Sequence, residues 1–197
     1  MLDLLPDMFP SANRPRNIGC TFLEPACGTG NFLIAILDRK LAYVQHGKLY
    51  RSVVAFESAV LEALSSIYGI DIDAENVEQS RNFLKADIAH HMNLHLNTVP
   101  VSDGFSRAVD TILKTNIILA DTLKDAQRIQ IVEYRWERQT GFVTRKWSFL
   151  EEADDQLDIF AAFSDGPSRD SAPIHYSRLA DTPAPVSDKT MHLGESR

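Results

Sequence analysis

The sequence predicts an α/β fold: a parallel sheet with helices packed on it and a β-hairpin appended. Three observations carry this. Short apolar runs at 19–23, 67–71 and 117–120 each end on or beside an acid. Stretches with apolar residues three and four positions apart separate these runs. Two β-prone runs, 129–136 and 142–149, then follow with five residues between them.

Residues 1–17 lack periodicity and carry Pro6, Pro10 and Pro15, which predicts a brief helical turn and a linker. Gly19-Cys20-Thr21-Phe22-Leu23 reads as a buried strand, bounded by Asn17 and Pro25. The glycine-bearing turn Ala26-Cys27-Gly28-Thr29-Gly30-Asn31 leads into a helix with Leu33, Ile36, Leu37, Leu41 and Val44 on one face. Gly47 is positioned to end it. A second helix over 54–66 groups Phe56, Val60, Ala63, Leu64 and Ile67. The second strand, 67–71, follows directly. Asp73 then caps a helix carrying Val77, Leu84 and Ile88 to about Leu94. A polar loop over 97–105 and a short helix over 106–114 precede the third strand, Ile117-Ile118-Leu119-Ala120. Residues 18–125 form the expected core. Residues 126–163 form a hairpin insert with an acidic segment. Residues 164–197 hold four of the nine prolines and few apolar residues, the composition of a disordered tail.

The composition is that of a water-exposed globular chain, with 44% hydrophobic and 24% charged residues among 197. Acids outnumber bases 27 to 20, a net charge of −7, which excludes a generically basic nucleic-acid binder. No apolar run is long enough for a membrane span, and the start lacks the basic flank of a signal peptide. Two cysteines, Cys20 and Cys27, do not make a disulfide framework, so the cytoplasm is the expected compartment.

In a parallel sheet, ligands bind at the carboxyl ends of the strands. Glu24, Asp71 and Asp121 stand at those three ends. Gly28 and Gly30 let the backbone approach a ligand closely, with amides exposed at a helix start. Leu33 stands where a dinucleotide fold wants a small residue, so a pyrophosphate cradle is not supported. Asp71 suits a ribose diol, and Asp121 suits an exocyclic amine. A ligand with an amino acid, a ribose and an adenine satisfies all three.

The segment Leu23-Glu24-Pro25-Ala26-Cys27-Gly28-Thr29-Gly30-Asn31-Phe32-Leu33 resembles the first motif of adenine-specific DNA methyltransferases. Ile67–Asp73 resembles the second motif of that family, and Ile117–Leu123 its third. The resemblance covers roughly residues 18–123. It implies a Rossmann-like fold binding S-adenosyl-L-methionine, and methyl transfer to the N6 amine of adenine in DNA within a restriction–modification system. It places Glu24, Ala26, Gly28 and Gly30 at the methionine end, Asp71 on the ribose, Ile72 on the adenine and Asp121 on the adenine amine. Pro25, Cys27, Asn31, Phe32 and Thr122 complete the implied cofactor-binding set.

Two features of the family are missing. The chain has no Pro-Pro pair, so the Asn/Asp/Ser-Pro-Pro-aromatic tetrapeptide that holds the target amine is absent. No aromatic-Thr-Pro element precedes the first motif. Residues 126–149 resemble the inserts that such enzymes carry. The chain is therefore expected to be the cofactor half of an incomplete fold, inactive alone, with DNA and a polypeptide supplying the catalytic half as partners. A non-catalytic cofactor-binding module, and a methyltransferase acting on a non-DNA substrate, are the alternatives.

Other signals read more plainly. Asp71 and Asp121 also suit helix caps. His90, His91 and His95 invite a metal, but no carboxylate or cysteine completes a ligand set at an obvious spacing. Cys27 lacks a paired base for nucleophilic work. Glu151, Glu152, Asp154 and Asp155 read as a solvated acidic patch. Tyr134, Trp136, Trp147 and Phe149 read as hairpin pairs rather than a base-stacking platform.

Overall fold

The computed structural model describes Leu2 and residues 5–45, 47–96, 101–150 and 169–181. The chain runs β1 (Phe22–Glu24), α1 (Asn31–Leu41), α2 (Val53–Ser65), β2 (Ile67–Asp71), α3 (Ala74–Leu96), α4 (Asp103–Asn116), β3 (Ile117–Leu119), α5 (Thr122–Asp125), β4 (Gln130–Glu137), β5 (Phe142–Phe149), β6 (Arg169–Asp170) and β7 (Ile174–His175). The fold is α/β, and its three-stranded parallel sheet has the order β1-β2-β3. Phe22 pairs with Ile67, and Gly69 pairs on its two sides with Glu24 and Ile117.

Alternation along β2 explains the layers. Ile67 and Gly69 face the helices. A Cβ on Gly69 would sit 2.6 Å from Leu33 Cδ1 and 2.9 Å from Cys27 Sγ, so only glycine admits α1 this closely. Ile67 and Ile117 join buried residues of α1 to α4 in one core, among them Leu33, Leu37, Phe56, Leu84 and Ile112. Tyr68 and Ile70 face the other way, into a smaller core with Ala126, Ile129, Ile131 and Leu150. The hairpin therefore covers the second sheet face. Tyr68 Oη donates to the Val132 carbonyl at 2.7 Å, Trp136 Nε1 donates to Ser65 Oγ at 2.9 Å, and Arg138 pairs with Glu62. The helices α1 to α4 all join the core on one face, and the hairpin with the 3-10 turn Ala126–Arg128 packs on the other.

Ligand binding at a switch point of a parallel sheet predicts that the strand before the glycine turn lies between the other two or at the sheet's middle, whereas β2 is central and β1 has one strand neighbour among the described residues. The strand also starts later. Pro15 opens a 3-10 turn, Pro15–Gly19, so Gly19 belongs to that turn. Buried Lys40 takes the Ile18 and Cys20 carbonyls. The first helix ends at Leu41 rather than Gly47, because Tyr43 and Val44 donate to Lys40 and Leu41 in tight i to i+3 bonds that bury Val44.

The described parts of both flanking segments pack against the fold. Leu2 and Phe9 of the expected linker join the main core, and Phe9 stacks on Phe22 at 5.3 Å. In the expected disordered tail, β6 and β7 both pair antiparallel with β5. The 3-10 turn Tyr176–Asp181 then lays buried Tyr176 and Leu179 onto the core. Apolar side chains spaced three apart suffice to anchor it. Residues 164–168 and 182–197 of that tail, and the acidic patch at 151–155, lie outside the described residues. No helix among the described residues is long and apolar enough to cross a membrane.

Candidate cofactor site at the sheet's carboxyl end

Parallel strands align their carboxyl ends, so β1, β2 and β3 deliver Glu24, Asp71 and the Asp121–Thr122 turn to one end of the sheet. Specific bonds stitch these ends together. Cys27 N–H donates to the Ile70 carbonyl at 2.9 Å, and Ala120 N–H donates to the Asp71 carbonyl at 3.0 Å. Thr122 Oγ1 donates to the Pro25 carbonyl at 2.8 Å, tying the third turn to the first.

The glycine turn uses its residue types. Gly28 and Gly30 have φ of +54° and +87°, the left-handed region that favours glycine. Gly30 is the N-cap of α1. A Cβ on Gly28 would meet nothing within 4 Å, whereas one on Gly30 would sit 2.4 Å from Ser80 Oγ. Gly30 is thus packed against α3, while open space lies beside the Gly28 backbone. Asn31 is exposed, Phe32 is half-buried against the main core, and Ala26 is exposed.

Asp71 is the hub. Its Oδ2 accepts from Gly28 N–H at 2.7 Å, and its Oδ1 accepts from Asp73 N–H at 2.9 Å and Asn76 Nδ2 at 3.2 Å. Burial alone raises its pKa, but these bonds, with a smaller pull from Ile72 N–H, outweigh it and hold the carboxyl below its usual range. Glu24 Oε1 accepts weakly from Ala26 N–H at 3.3 Å. Asp121 is the N-cap of α5, accepting from Leu123 and Lys124 amides at 3.0 and 3.2 Å. Lys124 also pairs with it at 3.1 Å and, as the main cause, lowers its pKa.

The end of the sheet therefore carries three acids and the glycine turn, of which Asp71 bonds the Gly28 amide. It also carries apolar side chains in solvent: Ile72 is 68% exposed, Leu123 84% and Leu119 53%. Leu123 and Leu119 were missed by the sequence reading. The signal at Leu123 is an apolar residue placed after an acid-capped strand end, where a turn is ordinarily polar; Leu119 is the last residue of β3.

The remaining candidates resolve into structure. Burial, then the charge of Asp71, raises the Cys27 thiol to about 11, so it is no thiolate nucleophile at neutral pH. His91 Nε2 lies 2.9 Å from the Val44 carbonyl, and its ring packs on Phe56 and His95. Among the described residues no group of three metal-ligating side chains occurs. In the hairpin, Tyr134 stacks on Trp136 along the same strand, and Trp147 lies under the Arg145 guanidinium. Across the hairpin Trp147 faces Val132 and Trp136 faces Val143, the aromatic–β-branched pairing of an antiparallel ladder. A hollow of about 650 Å³ flanks β1, lined by Leu5, Met8, Cys20, Leu23, Tyr68 and Tyr134 among others. It contains none of the three acids and is separate from the glycine turn.

No protein-family model matches the chain, and no curated protein or solved structure matches it significantly.

Proposed function

We propose that this chain is the S-adenosylmethionine-binding part of a DNA adenine N6-methyltransferase of a restriction–modification system, and that it does not methylate DNA alone. The observation that carries the reading is the set of three acids, Glu24, Asp71 and Asp121, at the carboxyl ends of one parallel sheet, with the open Gly28 backbone bonded to Asp71. Carboxylates repel a pyrophosphate and favour a ligand with positive charge. S-adenosylmethionine carries an ammonium, a sulfonium and a ribose. The eleven-residue resemblance at 23–33 points the same way, and the Rossmann-like assignment rests on it together with the parallel strand order.

The residues present fit that cofactor. Asp71 offers a charged acceptor to the ribose, Ile72 and Leu123 offer exposed apolar surface to the adenine, and the Gly28 backbone lets the ligand approach. Asp121 must share its carboxylate with the cap of α5 to receive an amine. When bound, the cofactor supplies an electrophilic methyl group. This chain holds and orients it. The target base must be flipped out of the duplex and held in line, and the sequence has no Pro-Pro turn to hold it.

The test is methyl transfer from labelled S-adenosylmethionine to duplex DNA of varied sequence. The chain alone is expected to leave adenine unmodified, since orientation is worth about 7–11 kcal/mol of barrier. Adding a polypeptide that supplies an Asn-Pro-Pro-aromatic turn is expected to yield N6-methyladenine. Methyladenine from the chain alone would show that other residues hold the base. No product under either condition, with cofactor bound, would favour a non-catalytic module.

A further inference from the structure

The parallel sheet has two edges among the described residues, and they differ. At β3 the Arg81 guanidinium donates to the outward Ile117 carbonyl at 2.6 and 3.2 Å, so a side chain of the fold covers that edge. At β1 the Phe22 amide donates to the Ser66 carbonyl at 2.9 Å, on the β2 side. Peptide groups alternate in direction along a strand, so the Leu23 amide and carbonyl face away from β2. That edge borders the hollow of about 650 Å³, whose walls include Leu5, Met8, Tyr68 and Tyr134. Glu133 also lines it. This carboxylate is half-buried and stands opposite Lys146 in the hairpin ladder, yet it makes no ion pair or hydrogen bond among the described residues. The other acid of the hollow, Glu62, is held by Arg138. We propose that the free edge of β1 receives an extended, largely apolar segment of another polypeptide as an added strand, and that Glu133 selects a segment carrying a basic residue.

Each part of the surface matches one part of such a ligand. Open peptide groups at a sheet edge are satisfied by the backbone of an extended segment. The apolar walls take its side chains, and the carboxylate gains a cation. Pro25 offers no amide, so the pairing edge stops before it. Charge decides among the possible occupants. A second copy would bring another Glu133 and a net charge of −7. Residues 151–158 of the chain itself carry Glu151, Glu152, Asp154, Asp155 and Asp158, of the same sign as Glu133. A basic partner segment complements the hollow where both of these repel it. The hollow is separate from the glycine turn, so this inference stands apart from the cofactor reading.

The experiment measures binding of short fluorescein-labelled peptides to the whole chain by fluorescence anisotropy. The probe is a capped peptide of alternating valine and threonine with one central lysine. One control carries glutamate at the centre, and another carries N-methylated backbone amides. The lysine peptide is expected to bind saturably. Both controls are expected to bind about tenfold more weakly, one through like charge and the other through lost edge bonds. On Glu133→Lys the preference between the lysine and glutamate peptides is expected to invert. Equal binding of those two peptides to the wild type, full binding of the N-methylated peptide, an unchanged preference in the variant, or no binding of any peptide would overturn the proposal. So would a dimer that the lysine peptide dissociates in sedimentation, which would assign the edge to a second copy. Binding that appears only when residues 151–168 are replaced by a glycine–serine linker would assign it to that segment and overturn the proposal as well.

Discussion

Lys40 gives the fold a measurable response to alkali. Its side chain is 0% exposed, and its ammonium reaches the Ile18 carbonyl at 3.0 Å and both the Cys20 carbonyl and Ser66 Oγ at 2.5 Å. Burial lowers its pKa from 10.5 to about 7, against smaller opposing pulls from Cys20 and Glu62. In the unfolded chain the proton stays on to the higher value, so between the two values the unfolded state binds more protons. Stability therefore rises with pH across that window. Integrating from pH 7 to about pH 9 gives a gain of about 2 kcal/mol, or roughly 50-fold in the unfolding constant. The assay is urea unfolding followed by circular dichroism at several pH values, on the wild type and on Lys40→Met. Other titrations cancel in the difference. The difference is expected to grow by about 2 kcal/mol across that range. Parallel pH profiles for the two proteins would refute the burial of Lys40 beneath β1.

The segment beyond the hairpin and the contact between α1 and α3 give two further tests. Tyr176 donates to Glu57 where both are buried, so Tyr176→Phe strips a buried carboxyl of its phenol partner. It is expected to destabilise the chain by about 1.5–3 kcal/mol, and an unchanged urea midpoint would show that residues 169–181 do not anchor there. Burial, and then the neighbouring Asp38, raises the Asp87 carboxyl from 3.8 to about 7. Its folded pKa exceeds the unfolded one, so its contribution is present below the lower value and lost as pH rises through the higher. Asp87→Asn is expected to flatten the loss of stability over that interval, as read by melting temperature against pH.

The elements were legible wherever local pattern and packing agreed. The second and third strands and the existence of the hairpin follow from apolar runs between turn residues, and the hairpin closes on Gly141 at φ +76°. The order of the strands was not legible, because which strand sits centrally depends on pairings that no local pattern encodes. Lys40 shows a related limit. It lies four residues after Ile36 and three after Leu37, on the face that buries both, yet a charge at such a position reads as solvent-facing until its acceptors are known. The tail misled for the opposite reason. Its proline content masked Tyr176 and Leu179, whose three-residue spacing is the buried face of a 3-10 turn. Strand-end logic anticipated that Glu24, the Gly28–Gly30 turn and Asp71 lie at one end of the sheet. Asn76 escaped it because its role is a bond to Asp71 and is visible only in three dimensions.

Asp71 is the residue on which the cofactor reading turns, since it joins the glycine turn to the end of β2. Calorimetric titration of S-adenosylmethionine into the wild-type chain and into Asp71→Ala tests that reading directly. Saturable binding to the wild type, weakened in the variant by about 1–3 kcal/mol through loss of a charged acceptor, is the predicted result. Absence of binding to the wild type, or equal affinity for both proteins, would contradict it.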